Sequence, residues 1–179
     1  MNGFPLKLFS LLVVLVMASP LFAQTGNISI DASQFELDGE TNTVLATGNV
    51  VVTQNDVRMT GRYARYDKTK QIIQLFDGIQ VTKGNMRMTC KQVTAYGKED
   101  RIEATGDVSF NYGRILGKAQ KARYDVGSQF IELTGSPKAW KDQDQLTGKV
   151  ILIDLKKQRL TTSGQAKAIL SSETLKHKP

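Results

Sequence analysis

The chain has 179 residues, enough for one domain with a core of its own. It carries 24 Lys and Arg against 17 Asp and Glu, a formal net charge of +7. A single cysteine, Cys90, excludes an intramolecular disulfide and argues against a cysteine-based metal site. The single histidine, His177, lies third from the end, a poor place for a catalytic triad or a metal ligand.

Residues 1–23 have the layout of a secretory signal. Lys7 gives a positive start, 8–18 is almost wholly apolar, and "ASPLFA" places cleavage after Ala23. The apolar run is short of the ~20 residues that a membrane-spanning helix needs. An uncleaved anchor is the alternative. Without this segment, which holds one Lys and no acid, the formal charge falls from +7 to +6. A basic exported chain favours an anionic lipid or sugar surface over nucleic acid as partner. A plainly solvated basic exterior gives the same count.

From residue 28 onward the chain repeats. Steps of 29 residues from Val50 reach Ile79, Val108, Pro137 and Ala166; steps from Val52 reach Val81, Phe110, Ala139 and Ala168. From Val44 they reach Ile73, Ile102, Ile131 and Leu160, and from Ala46 they reach Leu75, Ala104, Leu133 and Thr162. Ala32, Gly61, Cys90, Ala119 and Gly148 form a column of small residues, which reads Cys90 as a small buried side chain. Neighbouring columns are mostly polar, and Trp140 falls in one of them, which points to exposure. About five units of 29 residues fill 28–172.

Within a unit the apolar period is two, the period of a strand. Ile28, Ile30 and Ala32 open the first run, and the phase then slips by one to Phe35 and Leu37. Val44, Ala46, Gly48, Val50 and Val52 follow. Val57, Met59 and Gly61 then slip to Ala64 and Tyr66. Such a slip is the mark of a β-bulge, which bends its strand. Gly48, Gly106, Gly135 and Gly164 mark a matching corner, displaced by one to Gly78 in the second unit. Turn signals begin at Asp38, Asp67, Gly97, Asp125 and Asp154, and a second set at Thr53, Thr82, Asn111 and Lys141. Each unit therefore reads strand, turn, bent strand, turn. No part of 24–172 has helical periodicity, and 173–179 is a short basic tail. The short polar turns favour antiparallel hairpins over a parallel coil.

The phrases "LATGNVVVTQND", "VRMTGRYARYD", "RIEATGDVSF" and "GKAQKARYDVGSQFIELTG" resemble the LptA/OstA family along the whole of 24–172. The resemblance implies a periplasmic protein of lipopolysaccharide transport. It implies an antiparallel β-jellyroll with a hydrophobic interior, open at both ends. The implied ligand is lipopolysaccharide, held by its lipid A acyl chains. The implied partners are an LptC-like protein at the inner membrane and an LptD-like translocon at the outer membrane. No cofactor is implied.

On that fold, the inward residues are candidates to line a lipid groove: Ile28, Ile30, Phe35, Val50, Val52, Met59, Ile79, Val81, Met88, Val108 and Phe110. All are core residues in any reading. Burying a methylene is worth about 0.8 kcal/mol, so an acyl chain of a dozen contributes roughly 10 kcal/mol. A cation beside an anionic headgroup adds about 1 kcal/mol. The groove therefore sets affinity and basic residues tune orientation. Arg58, Arg62, Arg65, Arg87 and Lys91 are the candidates for its rim. The array shows no obvious cap at either end, which points to head-to-tail assembly of copies. A monomer with its ends covered by loops is the alternative.

Three other readings compete: a membrane-anchored LptC-like component, a structural scaffold without lipid transfer, and an enzyme with two working carboxylates. The acids lie mainly in turns, where turn chemistry accounts for them, so no enzymatic activity is expected.

Overall fold

The computed structural model describes residues 28–171. The signal segment 1–23, the tail 173–179 and His177 lie outside the described residues. The strands are β1 (Ser29–Asp31), β2 (Gln34–Asp38), β3 (Thr43–Gln54), β4 (Val57–Asp67), β5 (Ile72–Lys83), β6 (Met86–Tyr96), β7 (Arg101–Tyr112), β8 (Ile115–Asp125), β9 (Phe130–Thr134), β10 (Lys138–Lys141), β11 (Asp144–Thr147), β12 (Val150–Asp154), β13 (Arg159–Ser163) and β14 (Lys167–Ile169). One 3-10 turn, Gly97–Glu99, interrupts them. All pairings are antiparallel, and the strands form one open sheet in the order β1-β3-β4-β5-β6-β7-β8-β10-β11-β14. β2 lies beside β3, and β9, β12 and β13 carry on from β8.

The 29-residue step is visible in the strand starts. β3, β5, β7, β9 and β13 begin at Thr43, Ile72, Arg101, Phe130 and Arg159, each 29 residues after the last. β4, β6, β8 and β11 begin at Val57, Met86, Ile115 and Asp144 with the same step.

Every long strand bends at its middle. The register shifts between Thr47 and Val50, between Phe76 and Ile79, and between Thr105 and Val108. Two successive residues take a left-handed backbone at each corner: Gly48 and Asn49, Asp77 and Gly78, Gly106 and Asp107, Gly135 and Ser136, Gly164 and Gln165. Because both positions are left-handed, the swapped order Asp77-Gly78 still turns the corner. Opposite Gly48-Asn49 only Arg62 is left over, so two residues face one and the strand bends. At the corners Arg62 pairs with Asp77 at 2.9 Å and Lys91 with Asp107 at 2.6 Å.

The corners divide the sheet into two arms. One arm ends in two-residue hairpins, as at 54/57, 83/86, 112/115 and 141/144. The other ends in four-residue turns capped by aspartates. Asp38 accepts from the backbone N–H of Glu40 and Thr41, Asp67 from Lys70, Asp125 from Ser128 and Asp154 from Lys157. These are the turn aspartates of the sequence pattern. The inner faces of the two arms pack against each other in a single hydrophobic core. The hairpin ends of one arm and the capped turns of the other meet along a mouth on the side of the roll.

Candidate functional site

The interior is built from rows of side chains that cross the strands. In the hairpin arm, Ile30, Val52, Met59, Val81, Met88 and Phe110 are successive cross-strand partners. The next row places Val50 opposite Gly61, Ile79 opposite Cys90 and Val108 opposite Ala119. Val50, Val52, Met59, Ile79, Val81, Met88, Val108 and Phe110 are buried, while Ile28 and Ile30 are partly buried against them. Ten of the eleven candidates thus lie in or against one core.

Phe35 is the exception. The period-two pattern places it inside, and its partner Ala46 is indeed buried, yet Phe35 is 43% exposed. β2 is the last strand of its arm at this end, so no further strand covers the inner face of the ring. Leu37 stands beside it at 70% exposure. At the opposite end, Ile169 and Leu170 are 51% and 54% exposed on and just beyond β14. Both ends of the roll therefore show apolar side chains next to strands that are paired on one side.

The other arm contributes just as much interior, and the candidate set takes only Phe35 from it. Ala46, Ala64, Leu75, Val93, Ala104, Ala122, Leu133 and Ile151 form one buried row. Ile73, Ile102, Tyr124, Ile131 and Ile153 lie in the row beside it. The signal was present, since Ile73, Ile102 and Ile131 form one 29-residue column and Leu75, Ala104 and Leu133 another.

The rim differs from expectation. Arg58 sits between the inward residues Val57 and Met59, so strand alternation turns it to the outer face. Arg87 likewise alternates with buried Met86 and Met88. Arg62 and Lys91 sit at the corners, paired with acids, away from the mouth. Arg65 follows the phase slip and alternates with buried Ala64, again outward. From the hairpin arm the cations that reach the mouth are Lys83 and Lys141, in phase with buried Val81 and Ala139, while Arg101, Lys157 and Arg159 approach it from the turn arm.

Those two lysines span the mouth. The Lys83 ammonium lies 5.7 Å from the centre of the Tyr124 ring on the opposite arm. Lys141 Nζ donates to the carbonyl oxygen of Gln158 at 2.8 Å. A cavity of about 120 Å³ beside Lys83 has Ile28, Met59, Ile73 and Ile102 on its inner wall and polar groups, among them Gln54, Asp56 and Arg101, around the rest. A wider one of about 460 Å³ lies at the far end, with Leu146, Leu160 and Leu170 in its wall and Lys141 at its edge. The arrangement is one sheet folded into two arms over a packed apolar core, with the mouth as a slot along one side and apolar side chains exposed at each end. Its chemistry suits a long apolar chain whose polar part stays at the slot.

A family model described as LptA/(LptD N-terminal domain) LPS transport protein matches residues 29–159. The chain belongs to this family. It is 28% identical over 172 residues to the lipopolysaccharide export system protein LptA of Haemophilus influenzae, covering 90% of this chain and 87% of the relative. The protein of the same name from Escherichia coli K12 is 26% identical over 163 residues, with 89% and 78% covered. Among solved structures, LptH, the LptA-homologous periplasmic component of the lipopolysaccharide transport device of Pseudomonas aeruginosa, aligns with a TM-score of 0.37 and 16% identity. That alignment covers 82% of this chain and 96% of the other.

The remaining chemistry is spare. Among the described residues, no group of three His, Cys, Asp or Glu side chains could hold a metal ion. None of their helices is long and apolar enough to cross a membrane. Cys90 is 8% exposed, and burial pushes its thiol up to about 11, so it packs as a small apolar group. Trp140 is half-buried on the outer face, where its Nε1 donates to Gln145 Oε1 at 3.1 Å.

Proposed function

We propose that this family member is a periplasmic lipopolysaccharide-binding protein that shields lipid A acyl chains between its two arms. In this reading it bridges the inner and outer membranes as a head-to-tail array of copies. One observation carries the proposal: the apolar rows run unbroken across the roll and come to the surface at both ends. A closed globular core would be covered there. Aliphatic chains fit such rows by burial alone, and the slot lets a saccharide remain in water.

The cavity beside Lys83, about 120 Å³, has room for only a few groups the size of water. Loading therefore requires the arms to part at the mouth, where the Lys83–Tyr124 and Lys141–Gln158 contacts join them. The last strands at each end offer backbone N–H and C=O groups for pairing with a further strand. Unlike ends that pair give an open filament. The same ends would receive an LptC-like partner at the inner membrane and an LptD-like partner at the outer membrane. No catalytic step enters this role. Export with cleavage after Ala23 predicts that the mature chain begins at Gln24, which amino-terminal sequencing reads directly.

The test is photo-crosslinking in cells at Phe110 and, separately, at Ser109. Phe110 faces the interior and Ser109 alternates to the other face. Lipopolysaccharide adducts from position 110 but not 109 are expected. Adducts from neither, with folded and abundant protein, would favour a structural scaffold instead.

A further inference from the structure

The row nearest the mouth differs from every other inward row. Gln54, Val57, Lys83, Met86, Tyr112, Ile115, Lys141 and Asp144 are successive cross-strand partners from β3 to β11. Gln54, Lys83, Tyr112 and Lys141 also recur at the 29-residue step. From Gln54 to Lys141 polar or amphipathic groups therefore alternate with apolar ones along the lip, directly above the wholly apolar row of Val52, Val81, Phe110 and Ala139, and the row ends with the acid Asp144 opposite Lys141. Only two members of this row are cationic, and both point across the slot.

We propose that Lys83 and Lys141 are two stations for the phosphate of a lipid headgroup whose acyl chains lie between the arms. This rests on the lipid-carrier reading above and adds the charge that it selects. Three features support it. First, each lysine is inward and at the boundary between apolar wall and water; the Lys83 side chain is 21% exposed. A stem of methylenes on the wall with an ammonium at the edge suits the junction of an amphiphile. Second, the partners of the two lysines are exchangeable. Lys83 meets a ring face and, at 3.9 Å, the exposed carboxylate of Asp56. Lys141 meets a backbone carbonyl. A phosphate oxygen makes a stronger, charge-assisted bond than either the ring or the carbonyl. Third, parting the arms to admit a lipid breaks the Tyr124 and Gln158 contacts and turns both ammonium groups toward the slot, with only the loose, exposed Asp56 pair left beside Lys83 on its own arm.

The two lysines are four strands apart along β5-β6-β7-β8-β10. At about 4.8 Å per strand that is roughly 19 Å, too far for one phosphate to bridge. They therefore act as successive sites along the slot.

The test compares binding of diphosphorylated lipid A and of its dephosphorylated form to the purified mature protein. Wild type should prefer the phosphorylated lipid, with about fivefold attributable to each lysine. K83Q/K141Q should lose that preference, read as the ratio of the two lipids' affinities within each protein. K83R/K141R should keep it. A preference that survives in K83Q/K141Q overturns the assignment and leaves the carrier reading intact. Uptake of neither lipid by folded wild type overturns both. A measurement without variants guards against misfolding: acetylation of Lys83 and Lys141, read by mass spectrometry, should slow with the phosphorylated lipid and not with the dephosphorylated one. Equal protection by both lipids, or protection by inorganic phosphate alone, overturns the headgroup assignment.

Discussion

The ring of Phe110 lies over the bare α-carbon of Gly117, its cross-strand partner in the apolar row of the hairpin arm. A Cβ built at Gly117 would meet three carbons of that ring inside contact distance. The row thus carries a large side chain on β7 because β8 carries none opposite it. Gly117→Val should force the ring off its seat and cost about 1–3 kcal/mol, the usual range for overpacking. Urea unfolding measures it. In Gly117→Val/Phe110→Leu the loss should be smaller than the sum of the single losses, since the two residues share one space. Additive losses would mean that the ring and the glycine do not compete.

The corners give a second prediction. Gly106 has a φ of +79° and a Cβ there would come within 2.8 Å of Lys91 Cβ. Gly84 also has a positive φ, of +52°, but nothing lies within 4 Å of its missing Cβ. Alanine at either position suffers left-handed strain of about 1–2 kcal/mol. Only at Gly106 does it also press one strand off its neighbour. Gly106→Ala should therefore lower the urea midpoint more than Gly84→Ala does, and equal effects would remove the close approach as a reason for the corner glycine.

The corners, the turns and most of the interior were legible because each is a local rule repeated at a fixed step. Val50, Ile79 and Val108 recur with one period, and alternation assigns their face. What failed needed the third dimension. Phe35 obeys the same pattern, but the pattern does not say where the sheet stops, so its 43% exposure was hidden. Arg58 and Arg87 sit beside apolar residues in sequence and on the opposite face in space. Lys83 and Lys141 were overlooked because a lysine in an apolar phase looks like a break in the pattern. Ile73 and Leu75 were recognised as columns, yet only folding shows that their arm closes on the other.

Acid should loosen the capped turns. Hydrogen bonds from Thr41 hold the Asp38 carboxyl below the usual carboxylate range; Lys70 does so for Asp67 and Ser128 for Asp125. A carboxylate whose pKa is lowered by folding stabilises the fold above the unfolded value. That stability is lost as pH falls through the lowered folded values. The melting temperature should be flat from pH 7 to about 5 and fall below about pH 4. Because these groups are exposed, each effect is small, and Asp107, lowered by its bonds to Lys91 and Gln120 at a corner, adds to the same slope. Asp38→Asn, Asp67→Asn and Asp125→Asn combined should flatten the acid limb of the curve. An unchanged limb would place the acid sensitivity elsewhere.

The two ends of the roll allow a test of assembly that separates direction from mere stickiness. Leu37 is 70% exposed beside the β2 edge, and Ile169 is 51% exposed on β14. If copies join head to tail, each contact uses one end of each kind. Leu37→Asp spoils the first end and leaves the second intact; Ile169→Asp does the reverse. Each variant alone should be a monomer by light scattering at concentrations where wild type forms larger species. Neither should melt much lower than wild type, since both side chains are already in water. Mixed in equal amounts, the two variants should form a dimer and stop there, because one sound end of each kind remains in the mixture. Growth beyond the dimer would show that the contact is not confined to these ends, and no dimer at all would show that the two ends do not meet.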